Sequence, residues 1–257
     1  MKRILAVFCL TAIIVSGTIG ACCQPRDYSF YIKVDSGVSF AENAHVNAPN
    51  PPWNPAIQGY NAKLGHCPII GFSVGYEFSY LVDLELNVSN RSLFKYRKCQ
   101  TPCTGGASYT RKFDLDITSV LMCANIIGRS TCLHWDVGCG KIYPIIGAGV
   151  GRSRLLITNY RTTGLPPTGD STPFESFSAE NQYTHRRNFT YTILAGFEYT
   201  RDDCWTIGTG YRFFNAGHFK GPRYQRVADG SAVDVACDAW KMRFRANEWF
   251  VEFKIFI

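Results

Sequence analysis

A strict alternation between apolar and polar side chains is the feature that most constrains this chain. Successive side chains of a β-strand point to opposite faces, so this alternation predicts strands with one apolar and one polar face. Helical periodicity is scarce by comparison. Eight alternating runs follow one another, at residues 30–40, 70–78, 82–91, 113–123, 142–152, 189–199, 205–213 and 249–257.

The lengths of the intervening segments indicate how the strands are connected. Short connections at 79–81 and 200–204 alternate with much longer ones. Membrane barrels have strands of about 10 residues, with short turns at one end and long loops at the other. The sequence therefore predicts an all-β fold, an up-and-down antiparallel transmembrane β-barrel of eight strands, or of ten if 153–188 hides two more. Its four long external loops would be residues 41–69, 92–112, 153–188 and 214–248.

Residues 1–21 have the layout of a secretory signal peptide. Two basic residues precede an uncharged apolar run at 4–19, which ends in small residues. We expect cleavage, which leaves 22–257 as one barrel domain. An uncleaved helical anchor and lipid attachment at Cys22 are the alternatives. Beyond the signal no apolar run approaches the ~20 residues of a helical span, so any further membrane crossing must be made by strands.

The charge pattern argues against a nucleic-acid partner. The net charge is +7, and removal of the two signal-peptide cations leaves +5. This mild excess favours anionic lipid or glycan partners. The densest basic run is His185–Arg187, which a solvated loop explains better than a nucleic-acid footprint.

Charged residues of both signs lie on the polar faces of several runs. Inside a narrow membrane barrel they can pair, and Asp114 and Asp116 would lie on the same lumen face. The glycines at 147, 149 and 151 would relieve crowding there. The alternative is a soluble lipocalin-like barrel, which turns its apolar face inward around a ligand. The predicted lumen charge network comprises Lys33, Asp35, Asp83, Glu85, Arg212, Glu252 and Lys254.

Two glycine-rich stretches and the last run resemble a known family. Pro144–Gly151 resembles the proline-led fifth strand, and Gly210–Gly217 the seventh strand, of small outer-membrane β-barrels of the opacity-protein and outer-membrane-protein-A type. The last run is similar to the C-terminal signal read by the barrel-assembly machinery, although the family usually ends in Phe. The signal residues would be Trp249, Val251, Phe253, Ile255 and Ile257.

The resemblance implies a place in the bacterial outer membrane, with loops facing the exterior, both termini periplasmic and outer-membrane lipid around the wall. Family members serve as envelope scaffolds, adhesins or surface proteins. The resemblance thus implies a noncatalytic envelope-structural or adhesin-like role through the external loops. Partners would be a host or surface ligand and disulfide-linked envelope proteins. A narrow low-conductance channel, an outer-membrane lipid-modifying enzyme and a soluble ligand-binding barrel are the alternatives.

No catalytic, cofactor or metal site is predicted. The five histidines fall in predicted loops or turns without a nucleophilic partner, and the paired cysteine spacings of zinc sites are missing. The chain has 11 cysteines, and export permits disulfides. Cys132 with Cys139 is the preferred local bridge and Cys99 with Cys103 a second. The connectivity cannot be derived from sequence.

Overall fold

The structure, a computed structural model, describes residues 28–42, 46–47, 64–78, 82–100, 109–128, 133–164, 174–178, 183–201, 204–221, 224–226, 232–234 and 241–257. Within these ranges the fold is all-β, and no helix is long and apolar enough to cross a membrane. The strands are β1 (Tyr28–Ala41), β2 (Val46–Asn47), β3 (His66–Phe78), β4 (Val82–Gln100), β5 (Tyr109–Ile127), β6 (Trp135–Val137), β7 (Gly140–Gly164), β8 (Phe174–Ser178), β9 (Tyr183–Arg201), β10 (Trp205–Lys220), β11 (Tyr224–Arg226), β12 (Ala232–Asp234) and β13 (Lys241–Phe256).

The eight longest of these strands form a closed antiparallel barrel. From β1 through β3, β4, β5, β7, β9 and β10 to β13, each pairs with the next. β13 then pairs with β1, from Tyr31 opposite Phe256 to Ala41 opposite Ala246, which closes the wall. The predicted eight-stranded up-and-down barrel is confirmed. The described part of 153–188 adds β8, which pairs with the upper end of β7 beyond the stretch that β9 covers.

The lower half of the barrel, nearest the short β3–β4 and β9–β10 connections, has an apolar outer wall. Phe72, Met122 and Trp249 are among its exposed side chains, the last two by 65% and 62%. The lumen-facing side chains of the same strands are mostly polar and buried. Exposed apolar surface costs ~25 cal/mol per Å² in water, so such a wall is stable in lipid. The lower half is therefore a transmembrane barrel.

In the upper half this order of polarity is reversed. The lumen is filled by buried aromatic rings such as Phe94, Phe113 and Phe244, whereas Lys95 and Arg243 lie on the outer wall. The strands that build it are longer than predicted, because β4, β5 and β9 have 19 residues and β7 has 25. Part of the predicted external loops is thus strand. The upper half has the polarity of an ordinary soluble barrel and extends above the lipid.

β-Bulges determine which side chains point inward in the upper part of three strands. They lie in β4, β7 and β10 near Leu93, Asn159 and Gly217, whose φ angles are 67°, 54° and 74°. An extra residue shifts the side-chain alternation by one position. Phe94 and Phe219 consequently point into the lumen, where an unbroken alternation would have pointed them outward.

β5 reverses without a change in its own alternation, and the predicted lumen position of Asp114 and Asp116 is wrong. Leu115 faces the lumen and Met122 faces outward, so the apolar residues of this run belong to two different faces. Asp114 and Asp116 lie on the outer side, where the Arg97 guanidinium donates to Asp114 at 2.8 Å. The predicted run crosses the level at which the polarity changes, which is why its alternation was misleading.

The close approach of the β5 backbone to Gly151 of β7 gives a direct test. A Cβ at Gly151 would lie 2.0 Å from the backbone oxygen of Val120 on β5. We expect Gly151→Val to lower the free energy of unfolding by about 1–3 kcal/mol, measured by urea titration of the lipid-inserted barrel. Ala148→Val adds bulk on the outer face of the same strand and should change stability by less than about 0.5 kcal/mol. Equal losses would contradict the close approach of the two backbones at Gly151.

Candidate functional site

Ion pairs fill the lower lumen. The ammonium of Lys33 lies 2.6 Å from Glu85 and 3.1 Å from Glu252, and all three side chains are at most 5% exposed. The Tyr31 hydroxyl donates to Glu85 at 3.1 Å. Charges removed from water in this way attract strongly, and each one left unpaired would be costly. The lumen is therefore packed with mutually neutralised groups.

A second cation links the opposite side of the lumen. The ammonium of Lys254 donates to Asp83 at 3.1 Å and to Glu198 at 2.9 Å. The same ammonium lies 4.5 Å from the centre of the Tyr31 ring, a cation–π contact. The Asn125 amide also donates to Asp83, at 2.6 Å. These contacts join β1, β4, β5, β9 and β13 across the barrel axis.

Glu248 is held between two arginines where the charged lumen meets the apolar one. Arg91 donates to both carboxylate oxygens, from Nε at 2.5 Å and from Nη2 at 2.9 Å. Arg212 Nε donates to Glu248 at 2.7 Å, and Arg212 Nη2 donates to Asp35 at 3.3 Å. The Ser39 hydroxyl adds a hydrogen bond of 2.9 Å. Such fork-shaped, charge-assisted bonds fix the relative position of four strands.

Aromatic rings close the lumen directly above this cluster. The Arg91 guanidinium lies 3.6 Å from the centre of the Phe214 ring, and Phe94 packs edge-on against Phe244 at 5.1 Å. Tyr96 stacks on Phe113 at 4.7 Å. In the described residues, the lumen is thus occupied by ion pairs below and by an apolar core above.

The arrangement offers no evident reaction chemistry in the described ranges. His134 is 4.0 Å from the exposed Asp136, and His218 accepts a hydrogen bond from Arg243 at 3.3 Å. Neither contact holds a nucleophile beside a base, which covalent catalysis requires. No group of three metal-ligating side chains occurs among the described residues.

All seven residues of the predicted lumen charge network lie buried inside the barrel. The predicted network left out three buried charged partners, Arg91, Glu198 and Glu248. Arg91 lies at the end of a predicted run and Glu248 in a predicted loop. The alternation from Lys241 onward could have identified Glu248. It continues unbroken into the last run, but the face that is apolar before Glu248 becomes the polar face after it.

The structure does not contain the preferred local disulfide. Cys139 occupies the tight turn between β6 and β7, and its exposed thiol is free. Its predicted partner Cys132 lies outside the described residues, as does Cys103, so the Cys99–Cys103 bridge stays a prediction. Cys204, in the turn before β10, is disulfide-bonded. A bridge at the short-turn end therefore involves a cysteine that the local-pair prediction did not use.

Four of the five predicted assembly-signal residues lie on the outer face of β13, opposite the lumen-facing Glu248, Glu252 and Lys254, and Ile257 follows the last residue of the strand. Their role in assembly stays a prediction. The residues are Trp249, Val251, Phe253, Ile255 and Ile257.

Comparisons with known proteins gave structural likenesses only. No family model and no curated protein matches the chain. Neisserial surface protein A is 12% identical over 90% of this chain and 100% of its own, with a TM-score of 0.41. The N-terminal β-barrel domain of Pseudomonas aeruginosa OprF has the same identity and coverage, with a TM-score of 0.32. Yersinia pestis Ail is 12% identical over 87% of this chain and 99% of its own, with a TM-score of 0.29.

Likenesses at these identities and TM-scores carry no argument about function. The closed pairing of eight strands, the outward apolar band and the charged lumen are the architecture of the small outer-membrane barrels that the sequence resembles.

Removal of the Glu248 charge should destabilise the barrel strongly. We expect Glu248→Gln to lower the free energy of unfolding by about 3–5 kcal/mol, because it leaves the fully buried Arg91 without its counter-charge. Urea titration of the lipid-inserted barrel measures this. Asp136→Asn, which removes an exposed carboxylate, should cost less than about 0.5 kcal/mol.

A double variant separates an unpaired charge from a simple loss of packing. Arg91→Met combined with Glu248→Gln removes both charges of one pair, while Arg212 keeps Asp35. We expect the double variant to be more stable than Glu248→Gln alone by at least about 1 kcal/mol. A double variant that is no more stable than Glu248→Gln alone would show that the ion pair is not what holds this level of the barrel.

Proposed function

We propose that the chain is a noncatalytic surface protein of the bacterial outer membrane, in which a filled barrel holds an extended rim for binding or envelope structure. The filled lumen is the observation that carries this proposal. Ion pairs around Lys33, Lys254 and Glu248 and the aromatic core above them occupy the interior. Recognition then falls to the parts of the molecule outside the membrane band.

The upper half of the wall supports such a role. β4, β5, β7 and β9 extend beyond the apolar band, and β8, β11 and β12 add a small sheet to the upper end of β7. A rigid scaffold that presents loops is a common arrangement for binding, because the loop ends are fixed. The long connections thus present an adhesin-like or envelope-structural surface towards a host or surface ligand.

The orientation follows from the same logic. Outer-membrane barrels keep short turns on the periplasmic side and long loops outside. The β3–β4 and β9–β10 connections are short. The N-terminal end of β1 and the C-terminal end of β13 lie at the same side of the barrel as these connections. We therefore place both termini in the periplasm and the extended half of the barrel outside the cell.

Surface labelling tests the localisation and the orientation together. We expect a peptide epitope inserted within residues 165–173 to be accessible to antibody on intact cells, and one within 79–81 to require permeabilised cells. The heat-dependent gel shift of the outer-membrane fraction checks that each variant forms a closed barrel. A well-folded soluble periplasmic product without a gel shift would contradict the proposal, and labelling of 79–81 on intact cells would invert the orientation.

Ion conductance tests the channel alternative. Eight strands leave an interior that side chains can fill, and here an arginine cluster and stacked aromatic rings lie across it. We expect the purified barrel in planar lipid bilayers to show no steady conductance of the kind that a sixteen-stranded porin gives. A reproducible open state of wild-type protein would require a path past Arg91 and Phe214, and would favour a channel.

A further inference from the structure

An arc of basic side chains covers the outer wall of β7, β9, β10 and β13 just above the apolar band. These side chains are exposed or half-exposed. No ion pair with a carboxylate is found for any of them among the described residues. We call this set the basic arc, and it consists of Arg152, Arg154, Arg187, Lys220, Lys241 and Arg243.

The strand register places like charges directly opposite each other in this arc. Arg154 pairs with Arg187 across β7 and β9, and Lys220 pairs with Lys241 across β10 and β13. Side chains in such positions have Cβ atoms about 5 Å apart, and like charges there are destabilising. This surface contains two such pairs of like charges. An anion between the cations of each pair would reduce their repulsion.

The centre of the arc contributes a further cation and a hydrogen-bonded histidine. Arg243 Nε donates to His218 Nε2 at 3.3 Å, so that nitrogen is an acceptor and the imidazole adds no charge in this contact. Arg186, Lys241 and Arg245 are close enough to act electrostatically on His218. Two acids lie on neighbouring strands: Glu42, which follows β1 and accepts from the Asn247 amide at 3.4 Å, and Asp116 on β5, two residues from the position opposite Arg154. The field of this surface is therefore strongly positive.

The height of the arc identifies the chemistry that it meets. Phe189, which is 68% exposed, lies opposite Arg152 and two residues below Arg187 on β9. Trp249 and Tyr211 form an edge-on aromatic pair lower on the outer wall, because Tyr211 lies opposite Ala195, six residues below Phe189 on β9. Exposed aromatic rings of membrane barrels mark the boundary between hydrocarbon and headgroups. Two residues of strand span about 7 Å, which places the first arginines in the headgroup layer.

We propose that the basic arc binds the phosphate groups of anionic lipid headgroups in the leaflet on the long-strand side. Arg152, Arg154 and Arg187 would hold phosphate directly above the aromatic boundary, and the β10–β13 cations would extend the contact upward. The arc lies on the outer wall of the barrel and faces the surrounding lipid. A lipid headgroup can therefore contact it from within the membrane plane. This inference rests on the membrane location proposed above.

Lipid binding to the detergent-solubilised full-length mature barrel tests the proposal. The probe is phosphatidic acid, with zwitterionic phosphatidylcholine as reference, and native mass spectrometry counts the bound lipids while circular dichroism follows thermal unfolding. We expect phosphatidic acid to bind and to raise Tm. Arg154→Gln with Arg187→Gln should weaken its binding at least about fivefold, since each basic residue at an anionic surface contributes a factor of that order.

Two matched variants keep the test decisive. Lys95→Gln with Lys112→Gln removes the same charge from the outer wall of β4 and β5, beside Asp114 and Asp116, and should bind phosphatidic acid like wild type. Without lipid, the arginine double variant should melt no lower than wild type, because an opposed pair of cations is gone. If that variant fails to fold, Lys220→Gln with Lys241→Gln replaces it, with the same expected loss of binding.

Four results would overturn the proposal. Equal losses in the arc and control variants would show a general charge effect, and equal binding of phosphatidylcholine would show no headgroup preference. Binding of sucrose octasulfate to the arc without binding of phosphatidic acid would make it a site for sulfated glycan. A barrel that labels correctly at the cell surface but binds no phosphatidic acid would leave the proposed function intact and contradict this inference alone.

Discussion

The contact between Glu248 and the two arginines Arg91 and Arg212 is the interaction on which the rest of the barrel depends. The fully buried Glu248 carboxylate accepts three hydrogen bonds from the guanidinium groups, and Arg212 also donates to Asp35. The four residues come from β13, β4, β10 and β1, so the cluster joins distant walls across the lumen. Removal of one partner would leave a buried charge unpaired, and the penalty for that makes the cluster cooperative.

This cluster also marks the level at which the barrel changes its surroundings. Below it the lumen is charged and the outer wall apolar, as in lipid; above it the lumen is apolar and the outer wall charged. β13 shows the change within one unbroken alternation, since Phe244 and Glu252 both face inward while Arg245 and Val251 both face outward. Two solvents, lipid and water, thus dictate opposite side-chain patterns on one continuous strand.

The filled interior and the divided exterior together determine where function can reside. Ion pairs and aromatic rings occupy the space that a ligand or an ion would need, so the wall and the rim are the available surfaces. The wall presents an apolar band, an aromatic boundary at Phe189, and the basic arc above it. Each layer matches the chemistry at its own depth in a membrane, which is the physical reason for a fixed vertical position.

The amino-acid sequence by itself determined the strand class, the barrel and the charged lumen face, because two-residue alternation and short turns are local properties. Lys33, Asp83 and Lys254 could be identified in this way. Only the tertiary structure decided which face points inward above the lipid, since bulges at Leu93 and Gly217 shift the alternation without any change in composition. It also decided that Arg91 meets Glu248, a pair 157 residues apart whose contact exists only because the wall closes.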